Sequence, residues 1–390
     1  MEKEFFTRGV AEIIDEKSFK EKLASGKKLT IKMGFDPTRP DIHLGHAVGL
    51  WKLRELQDAG HKIVFLIGDY TTKIGDPSGR NTTRPVLDDK EIKENAKTYF
   101  EQVGKILDVE KAEVRYNSEW FSKMHFSDIL VLAGKFTVAQ IIERDDFQKR
   151  LQAGNDIGLH ELLYPLMQAY DSVMLQADVE FGGTDQKFNL LAGRDLQRKL
   201  GQTPQDIMMV DLLVGTDGQH KMSKSLDNYI AIFDEPKEMY GKIMSIPDAL
   251  MLNYFELATK ISKQEIDSIK KELDEGKNPR DIKMKLAFEI VRLYHGVAAA
   301  EDAQEEFIKV FSNRELPTDI PEVKIEYGNY QLADLLILLQ AVESKSEARR
   351  LIEQGGLKID ETKIADPNSP IAVTKDMLIQ VGKRKIYRIK

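Results

Sequence analysis

Apolar and polar positions set a strand–helix–strand rhythm early in the chain. Leu29, Ile31, Met33 and Phe35 alternate with polar or small residues, and a period of two predicts a strand. After a proline-containing loop, Leu44, Ala47, Val48 and Trp51 recur at helical spacing as far as Gly60, a suitable residue just past a helix end. Ile63–Ile67 is then an unbroken apolar run, as expected for a strand covered on both faces. Strand, helix and buried strand in such quick succession form a βαβ unit, which predicts an α/β fold with a doubly wound parallel sheet. Glu113–Tyr116, Val179–Gly182 and Ile207–Gly215 are further strand candidates. From Pro236 to about Phe311 the pattern turns helical, with Met284, Ala287, Phe288, Val291 and Tyr294 on one stripe. In the tail, Leu332, Leu335, Leu336 and Leu339 share one helix face, and Ala348, Leu351 and Ile352 mark a second helix over Ser346–Glu353, ended by Gly355-Gly356. Strands are expected at Leu357–Asp360, Ile371–Val373 and Met377–Ile389.

Composition narrows what such a chain can be. Its 390 residues exceed what one hydrophobic core organises, so two or three domains are expected. An apolar fraction of 42% is enough to build those cores and excludes global disorder. No apolar run is long enough to span a membrane, and Met1-Glu2-Lys3-Glu4 leads into no apolar stretch, so neither a span nor a secretory leader is expected. The absence of cysteine excludes disulfides, thiolate metal sites and thiol nucleophiles, and suits a cytoplasmic protein. A net charge of −7 argues against a general nucleic-acid coat, but the charge is uneven. From Asn329 to Lys390 there are 11 Lys and Arg against 8 Asp and Glu, which leaves 46 against 56 for the rest. A basic module thus ends an acidic body, and the two prolines of Glu315–Pro321 suggest a linker ahead of it.

The first strand–helix junction carries candidate chemistry: Gly34-Phe35-Asp36-Pro37-Thr38, then His43-Leu44-Gly45-His46. Free N–H groups and the helix dipole favour an anion there, imidazoles can donate to phosphate oxygens, and Gly45 lets a flat base or ribose approach the backbone. An ordinary helix cap with incidental histidines would look the same. Lys221-Met222-Ser223-Lys224-Ser225 shifts the balance, because two ammonium groups and two hydroxyls make a cationic clamp for a polyphosphate. Together the two segments resemble the hallmark motifs of the class I aminoacyl-tRNA synthetases, the second letter for letter as KMSKS. The resemblance implies a Rossmann-like catalytic domain in which a carboxylate attacks the α-phosphorus of ATP. Thr38, His43 and His46 would meet the phosphates, and Lys221 and Lys224, with Ser223 and Ser225, would close over the leaving pyrophosphate. Gly34, Asp36 and Gly45 would lie along the nucleotide. Mg²⁺ would arrive bound mainly to ATP, and no tightly held metal is expected.

Leu159–Val173 reads as one helix with an apolar stripe of Leu162, Leu163, Leu166 and Ala169. Its other stripe carries Tyr164, Gln168 and Asp171, spaced i, i+4 and i+7. A phenol, an amide and a short carboxylate suggest a buried polar pocket, or else an internal hydrogen-bond network. The Tyr-x-x-x-Gln-x-x-Asp stripe, Gly182-Gly183-Thr184-Asp185-Gln186 and the Gly75–Gly79 loop resemble the tyrosyl-tRNA synthetases. By that resemblance Asp171 accepts from the substrate phenol, Tyr164, Gln168 and Asp76 hold its ammonium, Gln186 lies by its carboxylate, and Gly183 and Asp185 meet the ribose. A site that reads a phenol rejects phenylalanine because its buried partners would be left unpaired, so no editing domain is needed. One position departs from many relatives, which carry tyrosine where this chain has Lys32. Lys32 is expected either to donate to the phenol oxygen or to pair with a carboxylate such as Asp171.

In the tail, Lys345, Arg349, Arg350, Lys358 and the Lys383-Arg384-Lys385 hairpin could line one basic surface. Ala348-Arg349-Arg350-Leu351-Ile352 followed by Gly355-Gly356 resembles the S4-type RNA-binding module. The expected organisation is a catalytic domain over 1–230, a helical anticodon-side domain over 231–320 and an α+β S4-like domain over 329–390. The implied partners are tRNA(Tyr), tyrosine, ATP and a second copy of the chain; the Phe136–Phe147 region, with Val138, Ile141 and Ile142 on a helix, is a candidate interface by position, although periodicity does not separate it from core. A tryptophan-specific relative suits the Tyr164–Asp171 stripe poorly. An RNA-binding protein without catalysis would not need both histidines and both lysines, and a small-molecule nucleotidyltransferase would not need the basic tail.

Overall fold

The computed structural model describes residues 3–38, 41–77, 88–311, 320–342, 344–360, 362–382 and 385–390. The chain divides into two compact units, Met1–Gln304 and Glu305–Lys390. Ser78-Gly79 of the glycine loop, most of the expected Glu315–Pro321 linker, and Lys383-Arg384 lie outside the described residues.

In the first unit, β1 (Val10–Ile14), α1 (Glu16–Ala24), β2 (Thr30–Phe35), α2 (Leu44–Asp58) and β3 (Lys62–Ile67) lead to α3 (Asp89–Val103) and β4 (Glu113–Tyr116). Four short helices follow: α4 (Ser118–Phe121), α5 (Phe126–Ala133), α6 (Val138–Ile142) and α7 (Asp145–Gln152). Then come α8 (Tyr164–Leu175), β5 (Val179–Gly183), α9 (Lys187–Lys199) and β6 (Asp206–Val210). The strands form one sheet in the order β1-β6-β5-β2-β3-β4. Five are mutually parallel, and the edge strand β1 runs antiparallel to β6. This edge was not legible because β1 is half exposed and Val-Ala-Glu-Ile-Ile shows no clean alternation.

Apolar burial explains the central elements. Ile63 to Ile67 are all buried, since the sheet is covered on both faces. The α2 helix turns Leu44, Ala47, Leu50, Leu53 and Leu56 inward. At Gly49 a β-carbon would lie 2.8 Å from Met33 Cε, so glycine lets α2 sit close on β2. From β2 the chain builds outward through β3 and β4, whereas from β5 it builds the other way to β6. The winding reverses between β2 and β5, and in such sheets the carboxyl ends at the reversal bound a crevice that takes ligands.

Two expected elements differ in detail. The helix expected over Leu159–Val173 is a 3-10 turn at Leu159–Leu163 followed by α8, because Pro165 has no N–H to continue one ladder and instead occupies the first turn of the new helix. The strand expected to reach Gly215 ends at Val210, after which the chain leaves the sheet and Val214 bridges only to Lys221. The helical stretch is as expected: α10 (Pro236–Met244), α11 (Met251–Ala258), α12 (Lys263–Asp274), α13 (Pro279–His295) and α14 (Val297–Phe311). Helix α13 packs on α10 and α11 through a buried stripe of Ile282, Leu286, Ala287, Ile290, Val291 and Tyr294, with the expected Met284 and Phe288 only half-buried.

The second unit holds β7 (Glu322–Val323), β8 (Gly328–Gln331), α15 (Leu332–Leu338), α16 (Lys345–Glu353), β9 (Leu357–Ile359), β10 (Thr362–Ile364), β11 (Pro370–Val373), β12 (Leu378–Val381) and β13 (Lys385–Ile389). The sheet order is β10-β9-β12-β13-β7, with β11 and β8 paired separately. Leu332, Leu335, Leu336, Ala348, Ile352 and Ile379 share its core. The run expected over Met377–Ile389, with its hairpin at Lys383–Lys385, is the antiparallel pair β12–β13.

Candidate active site

A cavity of about 660 Å³ opens at the carboxyl ends of β2 and β5. Every residue singled out above for catalysis, nucleotide binding or tyrosine binding lines it, from Lys32 to Ser225. The convergence has a structural cause. His43 bridges to Ala231, Leu44 N–H donates to Ile230 O at 3.0 Å, and Tyr229 Oη donates to Asp41 Oδ2 at 2.9 Å. These contacts lay the exit of the lysine loop along the start of α2. A β-carbon at Gly45 would meet the His43 ring at 3.1 Å and Met222 at 3.5 Å, so only a glycine leaves this junction open.

His43 and His46 stack with ring centroids 3.7 Å apart. Burial lowers the His43 pKa to about 3, with the ammonium groups of Lys224 and Lys221 adding to the effect. Burial also holds His46 well below its ordinary value, followed by His43 and the same lysines. Both imidazoles are therefore neutral. His46 Nδ1 accepts from His43 N–H at 3.3 Å, which assigns its proton to Nε2. Lys221 pairs with Asp185, Lys224 donates to the Tyr99 hydroxyl, and the Ser223 and Ser225 hydroxyls lie 2.9 Å apart. Asn228 anchors the loop from behind, accepting from Ser223 N–H at 2.8 Å and donating to Lys221 O at 3.2 Å.

On the other side of the cavity, Tyr164 Oη donates to Asp36 Oδ2 at 3.0 Å, and Thr71 donates to Asp36 Oδ1 at 2.9 Å. Gln186 Nε2 donates to Asp76 Oδ2 at 2.7 Å, and Gln186 Oε1 accepts from Asn189 Nδ2 at 2.9 Å. Asp171 is 3% exposed and takes Trp120 Nε1 at 2.9 Å and Asn117 Nδ2 at 3.4 Å. Burial pushes its pKa up to about 7, against the pull of Lys32 and of those two donors. Lys32 does not take Asp171 as its partner. Its ion pair is with Glu180, 3.1 Å away and directly across the β2–β5 register, and its other bond is to Gln168 O at 3.4 Å.

Trp120, Asn117, Tyr99, Asn228 and Glu180 escaped the sequence reading. The first four lie on segments with no motif of their own. Glu180 did leave a signal, a carboxylate inside the apolar run of an expected buried strand.

In the tail, Lys345, Arg349 and Arg350 are exposed on α16, and Lys358 is exposed on β9. Lys345 pairs with Asp334. Lys358 lies directly across from the exposed Lys363 in the β9–β10 pair. Among the described residues no helix is long and apolar enough to cross a membrane.

A doubly wound sheet that brings a stacked histidine pair and a two-lysine loop to its switch point has the layout of a class I tRNA synthetase. Residues 24–312 match the family model "tRNA synthetases class I (W and Y)", so the chain belongs to that family. Residues 313–388 match the "Tyrosine--tRNA ligase SYY-like C-terminal domain". A tyrosine–tRNA ligase of Dehalococcoides mccartyi is 54% identical over 97% of this chain and 96% of its own length, and one of Thermotoga maritima is 51% identical over 98% and 95%. Within the family, the chain falls among the tyrosine–tRNA ligases. Solved structures share the fold at low identity. The Archaeoglobus fulgidus tyrosyl-tRNA synthetase, in complex with L-tyrosine, is 24% identical with a TM-score of 0.63 over 77% of this chain and 98% of that one. A truncated Aspergillus nidulans mitochondrial enzyme is 23% identical with a TM-score of 0.64 over 79% and 93%.

Proposed function

We propose that the chain performs its family's reaction, tyrosine plus ATP to tyrosyl-adenylate and pyrophosphate, then tyrosyl transfer to the 3′-terminal adenosine of tRNA(Tyr), with the cavity residues in the following roles. Asp171 accepts a hydrogen bond from the substrate phenol at the pocket floor. Gln168, Tyr164 and Asp76 hold the ammonium, and Gln186 guides the carboxylate toward the α-phosphorus. The neutral imidazoles of His43 and His46, with Thr38, donate to phosphate oxygens as negative charge shifts during in-line displacement. Lys221 and Lys224 exchange Asp185 and Tyr99 for the departing pyrophosphate, which frees Asp185 for the ribose hydroxyls. Gly34, Asp36, Gly45 and Gly183 line the nucleotide path, and Mg²⁺ enters on the ATP phosphates. Such chemistry needs positioning and charge stabilisation rather than a protein nucleophile.

The carrying observation is that a cationic, imidazole-lined end and a buried carboxylate end share one cavity. The basic face of the tail, including Lys345, Arg349, Arg350 and Lys358, binds the tRNA, and the helices over 231–320 lie on the anticodon side. The chain works in the cytoplasm as a homodimer. Support for the dimer comes from Phe126, Leu130 and Val131 on α5 and Val138 on α6, which are 57–76% exposed. Ile141, which periodicity left open between interface and core, is core at 4% exposure. The test is amino-acid-dependent exchange of pyrophosphate into ATP. Tyrosine should stimulate it far more than phenylalanine or tryptophan; equal stimulation by all three, or by none, would sink the reading.

A further inference from the structure

Glu180 belongs to no motif, yet it holds the floor of the tyrosine pocket together. It faces Lys32 across the β2–β5 register, and both side chains are 1% exposed. Its four acceptor directions are all in use. Oε1 takes Lys32 Nζ at 3.1 Å and Gln168 Nε2 at 3.2 Å. Oε2 takes Ser172 Oγ at 3.0 Å and Gln205 Nε2. A carboxylate only accepts, so the half of the Gln168 amide turned toward it has to be the NH₂. The carbonyl oxygen of Gln168 is then the atom left for the cavity that this side chain lines.

We infer that Glu180, clamped by Lys32, is a positioning residue that sets the Gln168 amide with its oxygen toward the substrate ammonium. The inference rests on the assignment of Gln168 as an ammonium ligand. An amide is nearly symmetric in shape, and the opposite orientation would point N–H donors at a cation. Fixing the orientation before tyrosine arrives removes that option and the entropy of choosing. Lys32 has a defined part in this. A lone buried carboxylate would be costly, and the ammonium across the register neutralises it while leaving both oxygens in place. This gives a reason for lysine at position 32 that needs no contact with the phenol.

The test compares tyramine with 4-ethylphenol, the same molecule without its amine, as inhibitors of tyrosine-dependent pyrophosphate exchange. In the unmodified enzyme tyramine should bind more tightly, on the order of tenfold or more for one charged hydrogen bond. In the paired variant Lys32→Met with Glu180→Leu, which leaves no buried charge alone, the ratio of the two inhibition constants should collapse toward one. The 4-ethylphenol constant should meanwhile stay within about threefold, since the lost contact is to the amine alone. Glu180→Gln is the conservative control. Its carbonyl can serve Lys32 and Gln168 if Gln205 turns over, which gives up only the 3.3 Å bond of its Nε2 to Leu190 O, since Gln205 Oε1 has no hydrogen-bond partner. It should restore most of the ratio even though an unbalanced Lys32 lowers the melting temperature. An unchanged ratio in the paired variant, equal weakening of both inhibitors, or a collapsed ratio in Glu180→Gln would each overturn the inference while leaving the tyrosine reading intact. A ratio near one in the unmodified enzyme would remove the ammonium contact and the inference with it.

Discussion

In the role proposed for it, the buried Asp171 would couple tyrosine recognition to pH. Burial raises its pKa to about 7, and the Trp120 and Asn117 donors oppose that rise. A phenol donates best to the ionised carboxylate, so tyrosine binding favours loss of the Asp171 proton. The affinity for tyrosine is therefore expected to fall as pH drops below 7, as measured by the KM for tyrosine in pyrophosphate exchange. Trp120→Phe removes a donor that favours the charged form, and should move the midpoint to higher pH. Asp171→Asn should flatten the profile and raise the KM at pH 8 at least about tenfold, with ATP use little changed. For folding the sign is opposite. A carboxyl raised above its unfolded value contributes stability that is complete at low pH and lost as pH rises through 7. Tyrosine should consequently raise the melting temperature more at pH 8 than at pH 6. The Tyr164–Gln168–Asp171 stripe was legible because helical spacing alone puts the three on one face. The residues that tune Asp171 were not, because Asn117 and Trp120 reach it from the far end of β4 and only tertiary packing brings them near.

At the level of elements, α2 is capped by His43 and carries His46 in its first turn, so its seat on the sheet places both histidines. Gly49 lets α2 lie close on β2, since a β-carbon there would overlap the end of the Met33 side chain, which would have to shift. Gly49→Val should cost about 1–3 kcal/mol in denaturant unfolding, the usual penalty for overpacking. It should also slow exchange by lifting His43 and His46 away from the lysine loop. A stability loss without any change in exchange would show that the histidines tolerate displacement. The β2–α2–β3 unit was readable because its strand is covered on both faces and its helix has one apolar side, so burial wrote the periodicity directly. Where a different constraint ruled, the reading slipped. Pro165 split a helix whose apolar spacing ran on without interruption, and β1 stayed hidden because an edge strand buries too little to leave a pattern.

At the scale of the whole molecule, the association and RNA binding proposed above would draw on surfaces whose patterns look alike in sequence. Val138 and Ile141 share one short helix and one residue class, yet they are 67% and 4% exposed, and only packing separates them. Val131→Asp should therefore lower the sedimentation coefficient toward that of a monomer without unfolding the chain; an unchanged dimer would move the interface elsewhere. The tail allows a test in which function and stability part company. Lys358 and Lys363 stand directly opposite each other on an exposed antiparallel pair, an arrangement that costs a few tenths of a kcal/mol through repulsion. Such a cost is hard to explain on structural grounds but natural for a surface that meets phosphates. Replacing both lysines with glutamine should relieve the repulsion and leave pyrophosphate exchange intact. It should also raise the KM for tRNA and flatten its salt dependence by about one to two in log–log slope, as expected for two lost phosphate contacts. If the substitution leaves tRNA charging and its salt slope unchanged, the tRNA-binding face lies on another part of the tail.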